Sequence, residues 1–301
     1  MELQTFINNN NDYLSLFKKL NINFKKYSQL GLLIVSYKYN FNYDFDKYPF
    51  IKWCKGAIIR LSDNKVICLP PQKALIKHNL NDKNSIPDGD FILQPLIDGT
   101  MINLFYHKDE WFLSSRSYIG AKNKWHDKLS FKNMFDDIVN TKNIDLNNLN
   151  KNNSYSFVLQ HKKNRIVSEI VDNNIILVQE YSPNGNKLID INDVDYNNIV
   201  TIKNNDLNIL NNSFNNSFNY QFKGFTLKNE NTRINYLNSE YIKVHDLKQK
   251  CNFNNKLLTF LYLRQNNLLK TYLTYFKDDL QLFDKYRNII YIMKNELHNY
   301  Y

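Results

Sequence analysis

The stretch Leu96-Ile97-Asp98-Gly99-Thr100-Met101-Ile102 places an acid and a glycine directly before an apolar run. Turn residues followed by apolar and β-branched residues predict a strand, here over 101–106. Glycine occurs only 7 times in 301 residues, so we expect each one where a side chain is hard to accommodate. Taken alone, Asp98-Gly99 is also typical of an ordinary turn before a strand, so a functional interpretation needs further motifs.

Further motifs flank this stretch in a defined order. Those before it are Lys55-Gly56 and Pro70-Pro71-Gln72-Lys73. Those after it are Ser115-Arg116-Ser117, Tyr155-Ser156-Phe157-Val158, Asn164-Arg165-Ile166-Val167, Lys223-Gly224-Phe225-Thr226 and the segment 235–241. The ordered series is more specific than any single member, and the segment 164–167 is the most distinctive piece.

In order and approximate spacing, the series resembles the motifs of the covalent nucleotidyltransferases, and within them the bacteriophage-type RNA ligases. The resemblance covers about residues 50–248. It implies an α+β fold, in which an antiparallel-sheet nucleotidyltransferase domain (an ATP-grasp-like adenylation domain) is followed by a helical C-terminal subdomain. In that family a lysine of the motif Lys-x-Asp-Gly attacks the α-phosphate of ATP or GTP with the help of Mg²⁺. ATP or GTP with Mg²⁺ is therefore the implied cofactor set of an active enzyme.

Several residues that this chemistry requires are replaced in the present chain. Leu96 aligns with the nucleophilic lysine, and a leucine cannot form the lysyl-nucleotide bond. Ser156 aligns with a carboxylate, and Lys223 aligns with a metal-coordinating glutamate. Asn235 and Leu237 align with two phosphate-binding lysines. Because a cation at position 223 would repel a metal ion, we expect no metal site and impaired or absent lysyl-nucleotide formation.

Two other functions remain open on the sequence. An active RNA ligase, or a capping-type nucleotidyltransferase, would need a substitute nucleophile, for which Lys73, Lys223 and Lys243 are the candidates. A structural or interaction protein is the third class, and it could bind a protein partner through its apolar C-terminal helices.

The balance of charges favours RNA or another nucleic acid as partner. The chain has 39 Lys and Arg against 29 Asp and Glu, a formal net charge of +10. The resemblance implies nucleotide binding by Asp98, Gly99, Arg116, Phe157 and Lys223. Cations expected to contact a nucleic-acid backbone are Lys122, Lys124, Lys128, Lys162, Lys163 and Arg165. An ordinary solvated surface would also explain the cations of this second set.

Hydrophobic periodicity divides the chain into three parts. They are an N-terminal amphipathic helical segment (1–30), a nucleotidyltransferase-like domain (31–248) and a helical subdomain of two or three helices (249–301). Short β-rich runs in the middle part predict antiparallel strands, one of them at 165–171. The Asn- and Asp-rich segments 121–150 and 183–218 predict helix or loop insertions between strands.

Composition also excludes several classes of protein. The 3 cysteines are widely spaced and form no CxxC pair, which argues against a disulfide framework or a zinc module. No run approaches eighteen apolar residues, so we expect no membrane-spanning segment and a soluble protein from a reducing compartment. The abundance of Asn, Lys, Ile and Tyr indicates an AT-rich genome. We therefore expect a cytoplasmic location, and a large DNA virus is our hypothesis for the source.

Overall fold

The computed structural model describes residues 2–77, 91–124, 129–189, 199–201, 219–229, 232–253 and 255–300. The chain divides into two compact units, Met1–Asn238 and Ser239–Tyr301. The boundary predicted between residues 248 and 249 lies inside the first helix of the second unit. Within the described ranges, no helix combines the length and the apolar character that a membrane crossing requires.

The helices and strands have the following bounds. The helices of the first unit are α1 (Glu2–Asn8), α2 (Tyr13–Lys19) and α3 (Phe131–Thr141). Its strands are β1 (Asn23–Tyr27), β2 (Leu32–Ser36), β3 (Lys55–Arg60), β4 (Lys65–Cys68), β5 (Leu75–Lys77), β6 (Ile92–Pro95), β7 (Thr100–His107), β8 (Glu110–Ser114), β9 (Ser154–Gln160), β10 (Asn174–Ser182), β11 (Lys187–Ile189), β12 (Val200–Thr201), β13 (Gly224–Lys228) and β14 (Arg233–Leu237). The helices of the second unit are α4 (Ser239–Lys250), α5 (Lys256–Gln265), α6 (Leu269–Tyr275) and α7 (Leu280–Tyr300).

The strands of the described residues form three sheets. Their orders are β1-β2-β3-β4, then β11-β10-β9-β7-β8 with β12 beside β10, and finally β5-β14-β13-β6. Neighbouring strands run antiparallel, apart from the pairs β10 with β12 and β14 with β5. These sheets, followed by a helical C-terminal unit, confirm the predicted α+β class.

Helix α3 illustrates how the sequence builds the central core. Four of its apolar residues recur at helical spacing and are buried: Phe131, Met134, Phe135 and Ile138. Ser130 precedes the helix and accepts a hydrogen bond from the backbone N–H of Asn133, which is a typical N-cap contact. The apolar face packs on the second sheet, where Phe135 meets Phe157 edge to face at 5.9 Å between ring centroids. Of the two forms predicted for the insertion 121–150, helix or loop, the structure has a helix at Phe131–Thr141.

The N-terminal segment 1–30, for which one amphipathic helix was expected from about residue 5 to 30, is helical only in part. The segment forms two short helices and then strand β1, which pairs with β2 from Asn23 to Tyr27. The backbone turns at Asn21, which has a positive φ of 57°. The apolar side chains of α1 and α2 pack into the core of the first sheet, together with Phe50 and Trp53. Mixed apolar spacing fitted one long helix, but sheet pairing determines the conformation of its last third.

The strand predicted at 165–171 is wrong. The short 3₁₀ turn Lys162–Asn164 precedes this segment, which then bends without joining a sheet. Its backbone N–H groups at Val167 and Ser168 bind the side chain of Asp98 instead of a neighbouring strand. Most of the predicted insertion 183–218 lies outside the described residues.

The second unit has its own apolar core. Phe260 of α5, Tyr272 of α6 and Phe283 of α7 are buried. The ring centroid of Phe283 lies 5.4 Å from that of Phe260 and 5.9 Å from that of Tyr272. The three helices α5, α6 and α7 follow residue 252 among the described residues, in agreement with the prediction, and α4 adds a fourth helix before them.

Candidate functional site

Asp98 is the buried acid of the candidate site, with 7% of its surface exposed. Its Oδ2 accepts hydrogen bonds from the backbone N–H groups of Val167 at 2.9 Å and Ser168 at 3.0 Å. Its Oδ1 lies 3.4 Å from Nζ of Lys223. The side chain of Gln160 donates to the main-chain oxygen of Asp98 at 2.9 Å. Asp98 therefore joins the start of β7, the end of β9 and the start of β13.

Gly99 is required by the close approach of two strands. Its φ is +154°, and a Cβ there would lie 2.6 Å from the carbonyl oxygen of Leu159 and from a methyl group of Val158. Because one of these contacts is with backbone, a side chain could not be accommodated without moving β9. Gly99 thus lets the chain entering β7 run beside β9, which keeps Asp98 in place.

Lys55 begins β3 and is followed by Gly56, whose backbone lies against that of Arg116. The close approach depends on Gly56, where φ is +105° and a Cβ would lie 2.9 Å from the carbonyl oxygen of Arg116. Lys55 is only partly accessible to solvent. Burial, followed by neighbouring positive charges, lowers the pKa of Lys55 to about 8. These charges belong to Arg233, Arg116, Lys223 and Lys73, in decreasing order of effect.

Lys55 and these four neighbours form a group that we call the cation cluster: Lys55, Lys73, Arg116, Lys223 and Arg233. Burial also lowers the pKa of Arg233, to about 10. Like charges brought together in a partly desolvated place oppose folding. Such an arrangement is typical of sites where an anionic ligand supplies the missing negative charge.

The guanidinium of Arg116 gives the most direct support for an anion-binding site. One terminal nitrogen donates to the carbonyl oxygen of Tyr37 at 2.7 Å. Its guanidinium carbon lies 3.4 Å from the ring centroid of Tyr39 and 5.0 Å from that of Tyr37. The Nε atom is buried and has no hydrogen-bond partner within the described part of the chain. A buried N–H of this kind normally has an acceptor, and an anionic ligand could provide it.

The three lysines predicted as substitute nucleophiles have different surroundings. Lys73 and Lys223 belong to the cation cluster, and Nζ of Lys73 lies 4.8 Å from the ring centroid of Phe45. Lys243 belongs to the second unit, where its Nζ is 2.6 Å from a carboxylate oxygen of Glu240. This hydrogen bond raises the pKa of Lys243 and favours its protonated form, which is the opposite of what a nucleophilic amine needs.

Leu96 follows β6, and its backbone N–H donates to the carbonyl oxygen of Gly224 at 2.8 Å. Phe157, expected to bind the nucleotide, is completely buried and packs on α3, so its side chain presents no surface to a ligand. On β9, alternate side chains point to opposite faces of the sheet, so Ser156 and Phe157 face different sides. The Oγ atom of Ser156 lies 2.9 Å from the amide oxygen of Asn103. A neutral contact therefore stands where the resemblance would place a carboxylate.

The cations predicted to contact nucleic acid lie mainly at the surface. Lys122 and Lys124 are exposed in the loop between β8 and α3, and Lys162 and Lys163 are exposed in the turn after β9. Arg165 is half-buried and donates to the main-chain oxygen of its near neighbour at position 167. The remaining cation of this set, Lys128, lies outside the described residues.

Sequence reasoning missed two members of the cation cluster, Lys55 and Arg233. Lys55 was part of a recognised motif, but it was assigned no role of its own. Arg233 precedes Asn235 by two residues on β14, so the two side chains share one face of that strand. The alternation of side chains along β14 could have indicated Arg233, because it places this cation on the same face as Asn235, where the resemblance expects a phosphate-binding lysine.

The described residues around Asp98 do not fit a divalent metal. In the described ranges, no group of three or more His, Cys, Asp or Glu side chains could hold a metal ion. At the place where the resemblance expects a metal-coordinating glutamate, the ammonium of Lys223 faces Asp98 at 3.4 Å. Protein sites for Mg²⁺ use carboxylates and other oxygen ligands, whereas an ammonium group repels the ion.

Comparison with solved structures identifies the fold. An ATP-dependent DNA ligase of Aquifex aeolicus superposes with a TM-score of 0.54 at 13% identity, covering 92% of this chain and 80% of that one. An archaeal ATP-dependent RNA ligase gives 0.53 at 10% identity, covering 95% and 78%. An RNA ligase variant of Naegleria gruberi solved with ATP and Mn gives 0.40 at 11% identity, covering 52% of each chain. The sequence matches no family model and no curated protein. The first two structures show that the chain has the nucleotidyltransferase fold of ATP-dependent ligases.

Proposed function

We propose that this protein is an RNA-ligase-like pseudoenzyme that binds RNA or a nucleotide through its cation cluster and does not form a lysyl-nucleotide. The cation cluster is the observation that carries the proposal. Lys55, Lys73, Arg116, Lys223 and Arg233 are brought together from separate parts of the first unit. A phosphate-bearing ligand would neutralise these charges, which otherwise oppose folding.

The surroundings of Arg116 support a nucleic-acid or nucleotide ligand over a simple inorganic anion. Tyr39 contacts the guanidinium and is 66% exposed. Accessible aromatic rings beside cations are suited to base stacking combined with phosphate contacts. The loss of catalysis rests on Leu96, which has no nucleophilic atom, and on the ammonium of Lys223 at the expected metal position.

Titration of a fluorescent RNA oligonucleotide at several salt concentrations tests the binding function. We expect affinity to fall as salt rises, because released counterions drive phosphate binding. Arg116→Ala and Lys223→Ala should each weaken binding and reduce the salt dependence, whereas Lys26→Ala, a change at an exposed lysine of β1, should not. An affinity that is indifferent to salt and to both cluster variants would refute the proposal.

A second candidate function is favoured by Lys55. Its pKa of about 8 leaves part of the amine unprotonated at neutral pH, as a nucleophile requires. Among the lysines with contacts described above, this makes Lys55 a better substitute nucleophile than Lys243. Intact-mass spectrometry after incubation with Mg²⁺ or Mn²⁺ and ATP or GTP separates the two functions. A mass gain of one nucleoside monophosphate on Lys55 would establish the enzyme, and no gain in a folded sample would support the binding protein.

A further inference from the structure

The contact between Lys223 and Asp98 suggests how phosphate groups are bound at this site. We propose that the cation cluster binds the phosphates of its ligand without a divalent metal, with the ammonium of Lys223 supplying the positive charge next to Asp98. This inference rests on the proposed function, because it specifies the chemical form of the ligand that the same site binds.

The accessibility of the two partners supports this inference. The side chain of Lys223 is 23% exposed, whereas that of Asp98 is only 4% exposed. An incoming ligand therefore meets the ammonium, and the carboxylate lies behind it. Oδ2 of Asp98 is also occupied by the N–H groups of Val167 and Ser168. A metal ion would have to displace Lys223 and would then find a carboxylate that already has two donors.

The other cations point to the same form of the ligand. Lys73, Arg116 and Arg233 place further positive charge around Lys55, as Lys223 does. A polyphosphate that has bound Mg²⁺ has lost part of its negative charge, and its bound ion would be repelled by the cluster. The metal-free polyphosphate keeps its full charge, so the cations of the cluster can bind it directly through charge-assisted hydrogen bonds.

The lowered pKa of Lys55 also agrees with binding of a metal-free anion. Its pKa is lowered to about 8 by burial and by its cationic neighbours. A phosphate group in the cluster would oppose this shift through its negative charge and favour the protonated amine. Binding of a metal-free anion should therefore be accompanied by proton uptake near pH 8.

The test measures the affinity for ATP by isothermal titration calorimetry in two buffers of equal ionic strength, one with EDTA and one with excess Mg²⁺. We expect binding in EDTA to be as tight as in Mg²⁺ or tighter. Binding that is tenfold or more weaker in EDTA would overturn the inference. Inorganic tripolyphosphate and a 5′-phosphorylated RNA oligonucleotide serve as parallel ligands, and they distinguish recognition of phosphate alone from recognition of a nucleotide or an RNA end.

Charge-reversal variants make the test specific to Lys223. Lys223→Glu places a second carboxylate beside Asp98, so it should lose affinity by about tenfold or more in EDTA and recover part of it in Mg²⁺. Lys223→Met should lose affinity in EDTA without any recovery in Mg²⁺. Lys26→Glu carries the same change of charge on exposed β1 and should behave like the wild type. Circular dichroism establishes that each variant is folded before its affinity is compared.

The possible failures have different meanings. If ATP, tripolyphosphate and RNA all fail to bind in both buffers, the proposed function and this inference are both refuted. If they bind only with Mg²⁺, the proposed function stands and the metal-free inference is refuted. If Lys223→Glu binds in EDTA as tightly as the wild type, Lys223 does not contact the phosphates and the inference is likewise refuted.

Discussion

Replacing Lys55 with methionine should stabilise the unliganded protein and weaken its binding of phosphate. The pKa of Lys55 is lowered from 10.5 to about 8 in the folded chain. At about 1.4 kcal/mol per unit, this difference corresponds to roughly 3 kcal/mol of cost for keeping the charge in the folded state. The partly accessible side chain is screened by solvent, which lowers the figure. We therefore expect Lys55→Met to raise the free energy of unfolding by about 1–3 kcal/mol at pH 7.

The sign of the pH dependence follows from the same shift. Below pH 8, Lys55 is protonated in the folded and unfolded chains alike, so the folded protein bears the full cost. Between about pH 8 and 10.5 the unfolded chain binds more protons at this residue, so its contribution to stability rises with pH. The advantage of Lys55→Met over the wild type should therefore shrink across this window.

Urea denaturation at pH 7 and pH 9.5 measures this advantage directly. Comparing wild type with variant at each pH removes the contributions of other groups that titrate in the same range. Lys26→Met, at an exposed position of β1, is the matched control and should leave both values within about 0.5 kcal/mol of the wild type. A Lys55→Met protein that is less stable at pH 7, or whose advantage is the same at both pH values, would refute the electrostatic reasoning.

Three further predictions concern the framework of the site. Asp98→Ala should destabilise the protein by about 1–3 kcal/mol in urea denaturation, because two backbone N–H groups lose their acceptor; an unchanged midpoint would contradict this. Gly56→Ala should lower the melting temperature, since its Cβ would collide with the backbone of Arg116 and costs of about 1–3 kcal/mol are typical of such overpacking. Leu96→Lys alone should not produce a lysyl-nucleotide, because Lys223 still faces Asp98; a mass gain of one nucleoside monophosphate after incubation with ATP and Mg²⁺ would show that the metal position tolerates this ammonium.

Helix α7 exposes several apolar side chains, and the protein partner predicted for the C-terminal helices stays a prediction. Ile289, Tyr291, Ile292, Met293 and Leu297 are each more than 50% exposed. Light scattering of the purified chain would show whether it forms a complex of fixed stoichiometry with itself.

The sequence alone determined the class of fold, because periodicity and motif order can be recognised without knowing which residues meet in space. Alternating apolar residues set the strands of the first unit, and the helical period over 256–300 set α5, α6 and α7. The ordered motifs around Asp98-Gly99 also led to the nucleotidyltransferase fold that the structure shares with ATP-dependent ligases. The periodicities are contained in short windows of residues, and the motifs are recognised by their order along the chain.

The tertiary structure decided the site, because its members are far apart along the chain. The segment 165–171 has the composition of a strand, yet its N–H groups bind Asp98, about 70 residues earlier. Lys55 and Arg233 are separated by most of the first unit, and only folding brings their charges together and lowers the pKa of Lys55. Residue types fixed which groups carry charge, and the packing of strands fixed which of those charges meet.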